Sequence, residues 1–128
     1  MELKKNILKI KREFGEFDKV KFSFRYVGLN ENERNLIEKE LSDLELKVNK
    51  IENDLYVINF PLTDEIEPNR INIINEKLEL SQSKFGIFVA FTTNYDHSGF
   101  RLPKEIKKFY QIVGGEFDCS IIMIEKNV

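Results

Sequence analysis

The 128-residue chain has no tryptophan, one cysteine (Cys119), one histidine (His97) and three prolines. A single cysteine excludes an internal disulfide and fits a reducing compartment. One cysteine and one histidine cannot complete a zinc site in one chain unless carboxylates supply the rest, which is uncommon. No apolar run approaches the ~20 residues of a membrane span. The stretch MELKKNILKIKREF has lysines but neither a continuous apolar segment nor a small-residue cleavage site after it, so no secretory signal is read. The P-loop, dinucleotide-fingerprint, HExxH, CxxC and EF-hand patterns are all missing. These absences lead us to expect no metal, no cofactor, no membrane association and a cytoplasmic location.

Hydrophobic residues make up 41% of the chain, enough for one domain spanning 1–128 with one core. The net charge of −2 is unevenly spread. Residues 1–25 carry eight Lys/Arg against four Asp/Glu, whereas residues 29–82 carry six against thirteen. An acidic middle argues against nucleic acid on that surface and suits a basic partner; an acidic solvated helix face is the simpler explanation of the same charges.

The segment KVKFSFRYVG (19–28) alternates. Val20, Phe22, Phe24 and Tyr26 share one face, and Lys19, Lys21, Ser23 and Arg25 the other, as in a strand with one wet side. Asn30 with Glu33 has the form of a capping box, and the apolar stripe Leu36, Ile37, Leu41, Leu44 predicts a helix over 31–43. Residues 44–62 read as a hairpin turning at Glu52–Asp54, with LYVINF as a central strand closed by Pro61. Pro68 starts a helix with the stripe Ile71, Ile74, Leu78. KFGIFVAFTT (84–93) is a strand apolar on both sides, and Gly86 and Ala90 suggest a helix packed closely on it. Pro103 starts a helix with the stripe Ile106, Phe109, Tyr110 and Val113, and Gly114 or Gly115 can form its C-terminal cap. EFDCSIIMIE (116–125) is the last strand, where Cys119 reads as a small core hydrophobe. Residues 1–16 read as an N-terminal helix on the spacing of Leu3, Ile7, Ile10 and Phe14; the alternative is a strand turning back at Gly15. The expectation is an α+β fold of order β-α-β-β-α-β-α-β: one mainly antiparallel or mixed sheet of about five strands, with about three helices packed on it.

Candidate chemistry is sparse. Asp96, His97 and Ser98 are sequence neighbours, and adjacent side chains diverge too much for a triad. No catalytic residue is expected. Their loop, with Tyr95 and Arg101, joins a strand to a helix. It reads as a plain polar connection, a protein contact or an anion site at the free amides after Pro103. Clustered carboxylates offer a candidate partner surface: Glu31, Glu38 and Glu40 on the first helix, and Asp64, Glu65 and Glu67 before the second.

The run GIFVAFTT, a polar loop, then FRLPKEIKKFYQIVGGEFDCSIIMIE resembles small bacterial α+β domains, among them immunity proteins of polymorphic and contact-dependent toxin systems. The resemblance spans about residues 84–125, with a looser match at 20–43. It implies a non-enzymatic cytoplasmic protein that binds and occludes a toxin domain, and it designates no binding residue. On this view the acidic residues, with Tyr95, His97 and Arg101, would meet a basic toxin domain such as a nuclease. The alternatives are a regulatory module holding a small anionic metabolite near Arg101 and, third, a carboxylate-dependent enzyme.

Overall fold

The computed structural model describes residues 7–11, 17–93 and 102–123. Its longest strand is the alternating segment. It runs over Phe17–Leu29 (β2), after a short strand Ile7–Lys11 (β1). There follow helix α1 (Glu31–Glu40), strands β3 (Lys47–Ile51) and β4 (Leu55–Pro61), helix α2 (Pro68–Lys77), strand β5 (Phe85–Thr93), helix α3 (Lys104–Val113) and strand β6 (Glu116–Met123). The sheet order is β3-β4-β2-β5-β6, with β1 also on β2. All pairings are antiparallel except β5 with β6, so the sheet is mixed, as the sequence predicts.

β2 is central because its alternation leaves one complete apolar face. Val20, Phe22, Phe24 and Tyr26 are each 0% exposed. Opposite them in register stand Phe91, Val89, Ile87 and Phe85 of β5, and Phe60 and Ile58 of β4. Between Tyr26 and Leu29 the pairing with β4 slips by one residue. Gly28, at φ +70°, takes up this bulge, which turns Leu29 back onto the buried face. Burial of Ile37 and Leu41 from α1, Ile71 and Ile74 from α2, and Ile106, Phe109 and Val113 from α3 completes the core on that side. Phe24 is the hub of the aromatic packing, with the rings of Tyr26, Phe60 and Phe109 centred 5.2, 5.4 and 5.6 Å away. The Tyr26 hydroxyl donates to Asn75 Oδ1 at 2.8 Å, the one polar link inside this apolar layer among the described residues. Burial pushes the phenol's pKa up, and the Asn75 Nδ2 has no partner.

The local signals behave as expected at most element ends. Asn30 Oδ1 accepts from the Glu33 N–H at 2.8 Å, and Glu33 Oε1 accepts from the Asn30 N–H at 2.9 Å, which is the capping box. Pro68 opens α2, and Gly114 (φ +72°) closes α3 with its N–H on Tyr110 O.

Four expectations need correction. Residues 7–11 form a strand and not a helix. β4 engages β2 only from Ser23 onward, with Leu62 N–H on Phe22 O, so the same edge of β2 from Phe17 to Lys21 needs another partner; β1 supplies it. The expected turn at Gly15 lies outside the described residues. α1 ends at Glu40 rather than at residue 43, and the chain closes in a turn in which Leu44 N–H meets Leu41 O. Gly86 and Ala90 face away from the helices. Gly86 is small because a Cβ there would lie 2.1 Å from Glu116 O of β6. Cys119 is not in the core: β6 is an edge strand, and Cys119 is exposed, as are Ile121 and Ile122. No helix among the described residues is long and apolar enough to cross a membrane.

Two stability predictions follow from this packing. Gly86→Ala must push β6 off β5 and should cost roughly 1–3 kcal/mol in urea unfolding. Tyr26→Phe strands Asn75 without its only side-chain donor and should cost about 1–3 kcal/mol; pairing it with Asn75→Leu should recover much of the loss.

Candidate functional site

All three helices cover one face of the sheet, so the molecule has a helical side and a bare side. Each carries a hollow.

On the helical side the carboxylates divide into two groups. Those of α1 are largely paired. Arg34 lies 3.9 Å from Glu31 and 3.7 Å from Glu38, and its guanidinium stacks 4.4 Å from the Tyr56 ring centre. Glu40 meets Lys77 at 3.6 Å, and Glu33 meets Lys84 at 3.5 Å. Asp43 takes both terminal nitrogens of Arg70, which also donates to Glu40 O at 2.8 Å, so α2 is tied to the end of α1. This hydrogen bond, with the guanidinium's charge, holds the Asp43 carboxyl below its ordinary pKa and raises that of Arg70.

The second group is unpaired. Asp64, Glu65 and Glu67 are exposed and make no ion pair among the described residues. Glu67 occupies the N-cap position of α2, yet its side chain makes no capping bond. Asp64 and Glu67 stand on the rim of a hollow of about 220 Å³ between the start of α2 and α3. Glu105 and Lys108 of α3 share the rim, while Leu62, Ile66, Phe109 and Ile112 supply apolar lining. The rim is thus three carboxylates to one ammonium over a greasy base. Glu105 was not legible as a site residue, because only the packing of α2 on α3, fixed by Asn72 Nδ2 donating to Ile112 O at 2.9 Å, brings it to Glu67.

On the bare side lies a larger hollow of about 460 Å³. Lys21, Ser23 and Arg25 enter it from β2, Asn59 and Pro61 from β4, Phe88 and Ala90 from β5, and Glu45, Leu46 and Lys47 from the approach to β3. The sequence exposes the wet face of β2, but the strand order decides that Lys47, Asn59 and Phe88 join it.

Of the predicted contact residues, the structure brings Asp64 and Glu67 to one hollow. It leaves Glu31 and Glu38 on α1 with Arg34, and Glu40 with Lys77. Tyr95, His97 and Arg101 lie outside the described residues. No group of three or more His, Cys, Asp or Glu that could hold a metal occurs among the described residues.

The Asp43–Arg70 link has a pH signature. Because the folded carboxyl titrates low, its contribution is present above the ordinary aspartate range and is lost as pH falls through the depressed value. Arg70→Gln should return the Asp43 titration, followed by NMR, to the ordinary range. The stability gap between Arg70→Gln and the parent should close at acid pH. Compared with models of protein families, with curated proteins and with solved structures, the chain finds no match.

Proposed function

We propose that this chain is a non-enzymatic binding protein of the immunity type, which neutralises a basic toxin domain by occluding it. The observation that carries this reading is the rim of Asp64, Glu67 and Glu105, which make no ion pair among the described residues, around an apolar base. The carboxylates of α1 have cationic neighbours, whereas here three carboxylates share one small hollow with a single ammonium. An arginine or lysine from a partner fits such a place. Its aliphatic stem lies on Leu62, Ile66 and Phe109 while its charged head meets the rim. Exposed carboxylates also steer a basic domain during encounter, so they raise the association rate more than the final affinity. Glu65, exposed beside the rim, adds to that field.

This reading shifts the expected contact surface. The weight moves from the α1 carboxylates, which are neutralised within the chain, to the junction of α2 with α3.

On this reading the neighbouring gene encodes the toxin domain, and the test measures binding of this chain to that gene's product. Charge reversal of the rim (Asp64→Lys, Glu67→Lys, Glu105→Lys) should weaken binding by roughly tenfold or more, mainly through a slower, less salt-sensitive association. Reversal of Glu31 and Glu38 should change it by less than about threefold. An unchanged affinity and salt dependence in the rim variant would overturn the reading.

A further inference from the structure

We infer that the hollow on the bare face of the sheet is a binding site for a small organic phosphate, of about the size of a nucleoside monophosphate. The argument starts from charge. In a chain with more acids than bases, Lys21, Arg25 and Lys47 converge on one hollow, and none of them makes an ion pair among the described residues. Glu45 is the only carboxylate in the lining. Three cations against one carboxylate leave the hollow with an excess of positive charge, which a multiply charged anion between them neutralises.

Arg25 is also held in place. Its Nε–H donates to Asn59 Oδ1 at 2.8 Å, and its guanidinium carbon lies 4.0 Å from the centre of the Phe88 ring. One nitrogen and one face of the guanidinium are therefore committed to the protein. The two terminal nitrogens are left to make the paired hydrogen bonds that suit phosphate oxygens. Holding the side chain beforehand lowers the ordering cost of binding. Lys47 stands in the same register row, across Asn59 from Arg25, so the two cations flank one amide.

The floor explains the volume. Ser23, Pro61 and Ala90 are small side chains on three adjacent strands, and Leu46 and Phe88 rise at the sides. A phosphate between the cations leaves room for an organic body on Pro61, Ala90 and Leu46. The hollow's 460 Å³ lies within the range of small-ligand sites, roughly 300–1,000 Å³.

The surroundings limit the ligand's length. Along the rows that contain Arg25 and Ser23, the next residues across β5 are Glu116 and Asp118 of β6. In that direction the positive surface stops, and along β2 it extends past Lys21 only to Lys19 among the described side chains. A nucleic-acid strand needs a basic track that continues along its backbone, whereas a compact phosphate does not. The site is independent of the acidic rim on the helical side.

Binding can be followed in NMR spectra of the full chain, with adenosine monophosphate, adenosine, inorganic phosphate and a twelve-nucleotide single-stranded DNA as probes. Adenosine monophosphate should shift the amide signals of Ser23, Arg25, Asn59 and Phe88. Adenosine alone should not, and inorganic phosphate should bind about tenfold more weakly than the nucleotide. Lys21→Gln with Lys47→Gln should weaken nucleotide binding by roughly tenfold, and Arg25→Lys, which keeps the charge but loses the fork, should also weaken it. Reversal of Asp64 and Glu67 should leave it unchanged, which separates this site from the proposed partner surface. No shifts with millimolar nucleotide, shifts elsewhere, equal binding of adenosine, or tighter binding of the DNA would each overturn the inference.

Discussion

Everything in this fold hangs on the two-residue period of β2. Thirteen residues of one strand present Val20, Phe22, Phe24 and Tyr26 to one side without interruption. A strand with such a face must be covered, and three helices from three different connections all arrive on that side. Its opposite face carries Lys19, Lys21, Ser23 and Arg25, which cannot be buried unpaired. A helix layer on the second side is therefore excluded by the same strand that demands one on the first. The bulge at Gly28 is the single place where the period breaks, and it serves the core by turning Leu29 inward.

Charge follows the same division. On the helical side, the acidic residues of α1 and its end are absorbed by local partners: Arg34 lies between two glutamates one turn to either side, and Arg70 reaches from α2 to the end of α1. These pairs are exposed and individually weak. Those made by Arg70 align α1 with α2, since it grips both the Asp43 carboxylate and the Glu40 carbonyl. Around Asp64 and Glu67, where Lys108 is the one ammonium on the rim, the carboxylates make no ion pair among the described residues. The bare face is the converse, with cations that make no ion pair among the described residues over the strands that the helices do not cover.

Much of the architecture was legible because it rests on local rules. The alternation of β2, the Asn30–Glu33 box, the prolines that open α2 and α3, and the glycines after Val113 each specify their own element. What was not legible depends on neighbours far away in sequence. The glycine at position 86 answers a carbonyl of β6, not a helix. Cys119 looked like a core residue because its strand is apolar, but an apolar strand at the end of the sheet order is half open. The first strand was mistaken for a helix because its partner, the vacant edge of β2, exists only once β4 has taken the rest. The sites follow the same logic. Asp64 and Glu67 were visible as a cluster, but Glu105 joined them through helix packing, and the hollow on the sheet face was assembled by strand order from residues that looked like separate wet positions.

The end-to-end placement of β1 and β4 along one edge of β2 bears on how the chain is made. Synthesis delivers β2 early, while its two main neighbours lie far behind it, β4 at residues 55–61 and β5 at 85–93. Until these emerge, the aromatic face of β2 has only β1 beside it, and a lone two-stranded ribbon is marginal in water. The sheet thus closes late, around a strand made early. The nascent chain carries three aromatic core residues of one strand face, Phe22, Phe24 and Tyr26, until β5 at residues 85–93 has emerged to cover them, the interval in which chains of this topology are most open to association with one another or with chaperones.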